Sequence, residues 1–134
     1  MMRIYVAGPW SNRDEVIEAA AFLRADGFQV RARWLDENCG DVATFEGCQQ
    51  RALMDVDDVK SADVFVLLNL GMSSGKATEL GMAHIIGLPI VVVGPPATPF
   101  GPQGNMFYYL PGVTIVETLA DAVSLLRKIE RMEV

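Results

Sequence analysis

The run Val64-Phe65-Val66-Leu67-Leu68 is apolar at every position and bounded by Asp63 and Asn69, and it constrains this chain more than any other segment. A strand with one face in water alternates apolar and polar side chains. A strand apolar throughout must be covered on both faces, as inner strands of parallel sheets are. Ile90-Val91-Val92-Val93, after Pro89, repeats the pattern.

Around these two runs, strand and helix signals alternate. Arg3 to Ala7 reads as a first strand closed by Gly8-Pro9, and Asn12 caps a predicted helix over 13–25 with Glu15 at its third position. Val16, Ala19, Ala20 and Leu23 form the inner stripe of that helix, and Gly27 stops it. Phe28 to Arg33 reads as an alternating, peripheral second strand. A second helix is predicted over 44–60, with Phe45, Cys48, Ala52, Val56 and Val59 at helical spacing. A third runs from the Gly71 to Gly75 turn to near Gly87. A fifth strand follows over 113–116, and Thr118 caps a last helix carrying Leu119, Ala122, Leu126 and Ile129. Such alternation builds one five-stranded, mostly parallel sheet with helices on both faces, and it puts a site at the carboxyl ends of the strands. A length of 134 residues fits a single domain spanning 1–134.

Between the fourth and fifth strands, nine of the nineteen residues from Gly94 to Gly112 are Gly or Pro. A loop of that length in so small a domain points to function or to an interface. The formal charge of −6, from 11 basic and 17 acidic residues, argues against a nucleic acid or membrane partner held by counterion release. It leaves room for one small phosphate met by a dedicated loop. The N-terminal Met-Met-Arg-Ile-Tyr-Val has no signal-peptide character, so a cytoplasmic location is expected. Cys39 and Cys48 form no CxxC pair and His84 is the sole histidine, which leaves no metal set and no expected cofactor.

The segment Asn69-Leu-Gly-Met-Ser-Ser-Gly-Lys-Ala-Thr-Glu-Leu-Gly81 holds the densest chemistry. It is not a phosphate loop of the Walker type, because Leu70 and Ala77 occupy the required Gly and Ser/Thr positions. Gly71-Met-Ser73-Ser-Gly75 has the spacing of a serine nucleophile elbow, but His84 lies on the following helix and cannot reach back over that helix's own N-terminus. A third reading gives Ser73, Ser74 and Gly75 to an anion at a helix N-terminus and the chemistry to Glu79, whose carboxylate is expected to stay ionised there. Glu79 could equally be a solvated residue pairing with Lys76 at i, i+3, and Tyr5 could simply be core. Asp55 shares a helical face with Cys48, Ala52 and Val59, where a carboxylate needs a reason.

Four pieces in this order resemble the nucleoside 2-deoxyribosyltransferase-like family and cover most of the chain. They are Ile4-Tyr-Val-Ala-Gly-Pro9, Asp55-Val-Asp-Asp-Val-Lys-Ser-Ala-Asp63, Ser73-Ser-Gly-Lys-Ala-Thr-Glu-Leu-Gly-Met-Ala83 and Gly87-Leu-Pro-Ile-Val91. The resemblance implies a flavodoxin-like, doubly wound fold of Rossmann type. It implies Glu79 as a nucleophile that holds a covalent glycosyl intermediate, Tyr5 as its orienting partner, and Asp55 as proton handler for the departing base. Gly8 and Gly75 match close backbone approaches to the ligand, with Pro9, Trp10, Ser74 and Asn69 beside them. Trp10, Trp34, Phe107 and Tyr108 are candidates for stacking on a base.

Six residues before the glutamate, the family's nucleoside transferases carry aspartate and its 5′-monophosphate N-glycosidases carry serine. Ser73 stands there in this chain. A hydroxyl donates to a phosphate dianion that a carboxylate would repel. The resemblance therefore implies hydrolysis of a nucleoside or deoxynucleoside 5′-monophosphate to free base and sugar phosphate. The alternatives are a transferase exchanging bases between deoxynucleosides and a non-catalytic nucleotide sensor. Pro9-Trp10-Ser11 differs from the turn of the better-known monophosphate hydrolases, and Ala-Gly-Pro is commoner in the transferase branch. A homodimer or larger homo-oligomer is implied too, with the loop at 102–109, and Asn105 or Gly104 within it, completing a neighbour's site.

Overall fold

The computed structural model describes residues 2–36, 42–98, 101 and 103–132; Cys39 and Pro102 lie outside them. Five strands, β1 (Arg3–Ala7), β2 (Gln29–Val30), β3 (Val64–Leu68), β4 (Ile90–Val93) and β5 (Val113–Val116), form one sheet. Its order is β2-β1-β3-β4-β5 and every pairing is parallel. The all-apolar run is β3, buried at all five positions between β1 and β4. The sheet is thus the parallel one that the alternation of elements predicts, in an order consistent with the flavodoxin-like fold that the resemblance implies.

Four helices cover it: α1 (Arg13–Ala25), α2 (Phe45–Lys60), α3 (Ser74–Ile85) and α4 (Leu119–Met132). The chain reverses its direction across the sheet at β1, so right-handed crossovers set α1 on the face opposite α2 and α3. α4 returns to the side of α1, where Arg127 Nη2 meets Asp26 Oδ2 at 2.8 Å. The crevice outside the carboxyl ends of β1 and β3 is the switch point where such sheets bind ligands. Among the described residues between β4 and β5 there is no crossover α-helix; the Gly- and Pro-rich loop includes a 3₁₀ turn at Met106–Tyr109 with Tyr108 buried. Among the described residues no helix is long and apolar enough to cross a membrane.

Local differences from the sequence expectations have local causes. Asn12 does not cap α1 through its side chain, because a 3₁₀ turn at Trp10–Asn12 leads straight into the helix and holds Asn12 away from extended geometry. Its Nδ2 donates instead to Glu15 Oε1 at 2.9 Å. β2 is two residues long rather than six, since the chain leaves the edge of the sheet into another 3₁₀ turn at Arg33–Leu35. The stripe expected on α2 is only partly buried. Val59 is core, but Cys48 and Ala52 are exposed and Phe45 is 77% exposed. α2 packs chiefly on α3 and on the Arg33–Leu35 turn, so its first turns lie clear of the core.

A buried carboxylate anchors that region. Asp58, with no exposed surface, accepts from the Arg33 backbone at 2.8 Å and Arg33 Nε at 2.9 Å, and lies 3.0 Å from Arg31 Nε. The turn fixed in this way carries Trp34, whose Nε1 donates to Val6 O at 2.9 Å. Sheet edge, turn and α2 are thereby locked together beside the crevice.

Candidate active site

Tyr5 sits in the middle of β1, paired with Phe65 of β3, and the two rings stack with centroids 5.6 Å apart. Its hydroxyl passes over the sheet and donates to Glu79 Oε2 on α3. Burial, followed by the Glu79 and Asp55 charges, pushes the Tyr5 phenol far above its ordinary range, so it keeps its proton. β1 is held in register by β3, and α3 starts where Ser73 Oγ accepts from Lys76 N at 3.2 Å. Backbone structure therefore places both residues, and the hydrogen bond between them orients the carboxylate.

A cavity of about 110 Å³ opens over this pair, lined by Gly8, Trp10, Trp34, Arg51, Asp55, Ser73, Gly75, Lys76 and Glu79. Of the residues singled out from the sequence, it gathers Glu79, Asp55, Ser73, Gly8, Gly75, Trp10 and Trp34. Tyr5 touches it through Glu79. A second cavity of about 370 Å³ adjoins it and takes in Ser73, Ser74 and Asn105, together with Lys76, Gln103, Gly104 and Tyr108. Pro9 is buried outside both, and Phe107 is exposed outside both.

Asn69 is also outside both cavities. Its Nδ2 donates to Gly94 O at 2.9 Å and Gln103 O at 3.0 Å, while Oδ1 accepts from Lys76 Nζ at 3.1 Å and Tyr108 Oη at 3.4 Å. Its amide ties the end of β3 to the long loop. Asn105 Oδ1 accepts from Phe107 N at 2.9 Å, so part of its capacity goes to starting the 3₁₀ turn.

The two carboxyls differ from the sequence expectation in charge. Burial lifts Glu79 to about 7; the Tyr5 hydrogen bond and Arg51 oppose the rise, and Asp55 and Asp58 add to it. The expectation that Glu79 stays ionised at neutral pH is corrected, because burial of the carboxyl outweighs the helix field. Asp55 is lifted to about 6, again by burial first, with Arg51 opposing. Its Oδ1 is buried and has no hydrogen-bond partner among the described residues. Such an acceptor on a cavity wall is ready for a donor that a ligand brings.

Lys76 does not pair with Glu79 as the i, i+3 alternative holds. Its Nζ turns under the loop to Asn69 Oδ1 and Gly71 O. Arg51 is a residue that motif reading passed over. Its guanidinium lies 4.1 Å from the Trp10 ring centroid, one helical turn before Asp55, and it lines the smaller cavity. An Arg at i−4 from a suspect Asp was the available signal. Gly8 has a structural role beside any ligand contact: a Cβ there would lie 2.6 Å from Val16 Cγ2 on α1.

A buried carboxylate under a tyrosine hydroxyl, a second carboxyl with a free oxygen, and aromatic walls stand together in one crevice as a candidate site. Solved structures with this fold carry the comparison further. A 2-deoxyribosyltransferase of Bacillus psychrosaccharolyticus is 25% identical with a TM-score of 0.70, over 90% of this chain and 89% of that one. A conserved protein of Enterococcus faecalis V583 is 19% identical, TM-score 0.74, over 96% and 98%. The CMP N-glycosidase of Clostridium botulinum is 19% identical, TM-score 0.57, over 93% and 98%, and it matches in fold. No protein-family model and no curated protein matches the chain in sequence. The likeness to the nucleoside 2-deoxyribosyltransferase-like family carried by the motifs is therefore present in the three-dimensional structure as well.

Proposed function

We propose that this chain is an N-glycosidase that hydrolyses the base–sugar bond of a nucleoside or deoxynucleoside 5′-monophosphate, releasing free base and sugar 5-phosphate. The observation that carries this reading is the Tyr5 hydroxyl bonded to Glu79 Oε2 in a cavity shared with Asp55. In the first step the free Glu79 oxygen attacks the anomeric carbon. The carbon–nitrogen bond breaks, its electron pair leaves with the base, and Asp55 in its protonated form supplies the proton. In the second, water attacks the same carbon, Asp55 takes up the water proton, and the Glu79 ester bond is released. Atoms balance as nucleotide plus water to base plus sugar phosphate, and the sugar configuration is retained.

Each residue has a reason to stand where it does. Tyr5 holds one carboxylate oxygen so that the other faces the sugar. Gly75 leaves backbone N–H groups open at the α3 terminus, and Ser73 offers a hydroxyl rather than a carboxylate to the 5′ phosphate. Trp10 and Trp34, with ring centroids 6.2 Å apart, flank the space for the base.

The likeness to a 2-deoxyribosyltransferase favours a second reading in which another base, not water, receives the sugar from Glu79. A homodimer or larger assembly also belongs to the proposal. The exposed Met106, Phe107 and Tyr109 on the long loop would meet a neighbouring copy. Incubation with a panel of nucleosides and 5′-monophosphates, with and without a second base, separates the readings by chromatography of free base. Release from monophosphates alone is the expected result. Exchange on unphosphorylated nucleosides supports the transferase, tight binding without turnover supports a nucleotide sensor, and full activity in Glu79→Ala refutes the mechanism.

A further inference from the structure

We propose that Lys76 is the specificity-determining cation of the site, and that it selects substrates bearing a phosphate-class dianion received in the cavity between the Ser73 turn and the Gln103 to Tyr108 loop. The inference rests on the N-glycosyl reading above and names the residue that supplies its charge selection.

Lysines ordinarily run their stems along the surface and leave the ammonium in water. Lys76 does the opposite, with only 3% of its surface exposed. Its ammonium has two oxygen acceptors, Asn69 Oδ1 and Gly71 O, and among the described residues no carboxylate lies within ion-pair distance. The residue also sits in the first turn of α3, where the helix field already disfavours a cation. A buried positive charge with no counter-charge, at the positive end of a helix, is unfavourable unless an anion completes it.

The cavities say where that anion goes. Ser73 and Lys76 are the two residues that line both the smaller cavity, with Glu79 and Asp55, and the larger one. A sugar placed against Glu79 has its substituent led past them into about 370 Å³ of space. There Ser73, Ser74, Asn105 and Tyr108 offer polar groups, and among the described residues of the lining Lys76 is the only charged one. Glu79 and Asp55, close by, would repel a dianion. Arg51 opposes those two charges in the smaller cavity; Lys76 brings a positive charge to the larger one, in a buried setting where a charge acts more strongly than in water.

Titration makes the assignment testable in the unmodified protein. Burial pushes Lys76 down to about 8. The groups around it are Glu79 on its own helix, Asp55 and Arg51 across the smaller cavity, and Tyr108 on the long loop. Glu79 at about 7 and Asp55 at about 6 are largely ionised above pH 8, and burial moves Tyr108 upward, so it stays neutral. A dianion favours the ammonium form. Its binding must therefore take up a proton above pH 8 and weaken as pH rises further.

Calorimetry with sulfate, whose charge is constant over this range, reads this directly. Between pH 8.5 and pH 9.5 the affinity should fall by about tenfold, with proton uptake on binding. Sulfate that binds equally well from pH 7 to pH 9.5 overturns the proposal. In turnover, Lys76→Met should lower kcat/KM for a 5′-monophosphate at least about ten times more than for the same nucleoside without phosphate, mainly through KM, and Lys76→Arg should recover part of the loss. Equal losses on both substrates, or a wild-type preference for the unphosphorylated nucleoside, overturn it. Base release from no substrate at all would sink the N-glycosyl reading instead, and the sulfate measurement would still decide whether Lys76 makes an anion site.

Discussion

Tyr5 Oη donates a hydrogen bond to Glu79 Oε2, joining the centre of β1 to the second turn of α3 across 74 residues of sequence. The tyrosine ring is fixed by its stack on Phe65, and the glutamate is fixed by the helix, so the carboxylate is oriented before any ligand arrives. Orientation of this kind removes part of the entropic barrier to attack.

Removing the hydroxyl while keeping the ring should separate orientation from packing. Tyr5→Phe is expected to fold normally and to lose roughly 10- to 100-fold in kcat. The Tyr5 bond lowers the Glu79 pKa, so its loss raises that pKa further. Because Asp55 at about 6 lies below Glu79 at about 7, Glu79 sets the upper inflection, and the alkaline limb of the pH–rate profile must then move to higher pH. Stopped-assay profiles of the two proteins check both effects, and an unmoved limb would contradict the pairing.

Activity should be bell-shaped in pH. The nucleophile works ionised and the proton donor works protonated, and the folded values are about 7 for Glu79 and about 6 for Asp55. The working combination is most populated near the mean, so kcat/KM should peak at about pH 6.5 and fall on both sides. Asp55→Asn should flatten the alkaline limb and cost roughly 10²- to 10⁴-fold for bases that need protonation. A flat profile for wild type between pH 5 and pH 8 would rule out this assignment.

Stability should respond to Glu79 with a definite sign. Its folded pKa lies above its ordinary 4.5, so this group's contribution is full below about pH 4 and is lost as pH rises through about 7. Glu79→Gln removes the burial of a charge. The variant is expected to be more stable than wild type by roughly 1–3 kcal/mol at pH 8 and no more stable at pH 4. Thermal melts at the two pH values test it; equal shifts at both would refute the linkage.

Gly8 is a packing requirement independent of chemistry. Gly8→Ala would drive a Cβ to 2.6 Å from Val16 Cγ2, a stiff branched side chain wedged between α1 and the end of β1. A loss of about 1–3 kcal/mol is expected. Adding Val16→Ala should restore part of it, so the double-mutant cycle should be non-additive. Additive losses would mean that the clash is relieved by backbone movement instead.

The inner, buried position of β3 was legible because an all-apolar run has one physical meaning, burial on both faces. The inner stripe of α1 was legible for a similar reason: Val16, Ala19, Ala20 and Leu23 repeat at helical spacing and all are buried. The face of α2 was not, because its spacing is equally helical whether or not a sheet lies beneath it. Only the docking of α2 on α3 and the Arg33–Leu35 turn leaves Phe45 and Cys48 outside. Arg51 and Lys76 were missed as site residues because a charged side chain gives no periodic signal of where its end goes.

Tyr5 became a candidate through the resemblance of its motif, whereas the sequence by itself determined the parallel α/β architecture, the turn after β3 where serines open a helix, and the candidates Asp55 and Glu79. Those properties are local: side-chain polarity, spacing and capping chemistry act over a few residues. The tertiary structure alone decided the protonation of Glu79, the burial of Lys76 without a counter-charge, and the Asn69 links from β3 to the long loop. Each depends on desolvation or on contacts between distant segments, and neither exists until the sheet and α3 have closed over the crevice.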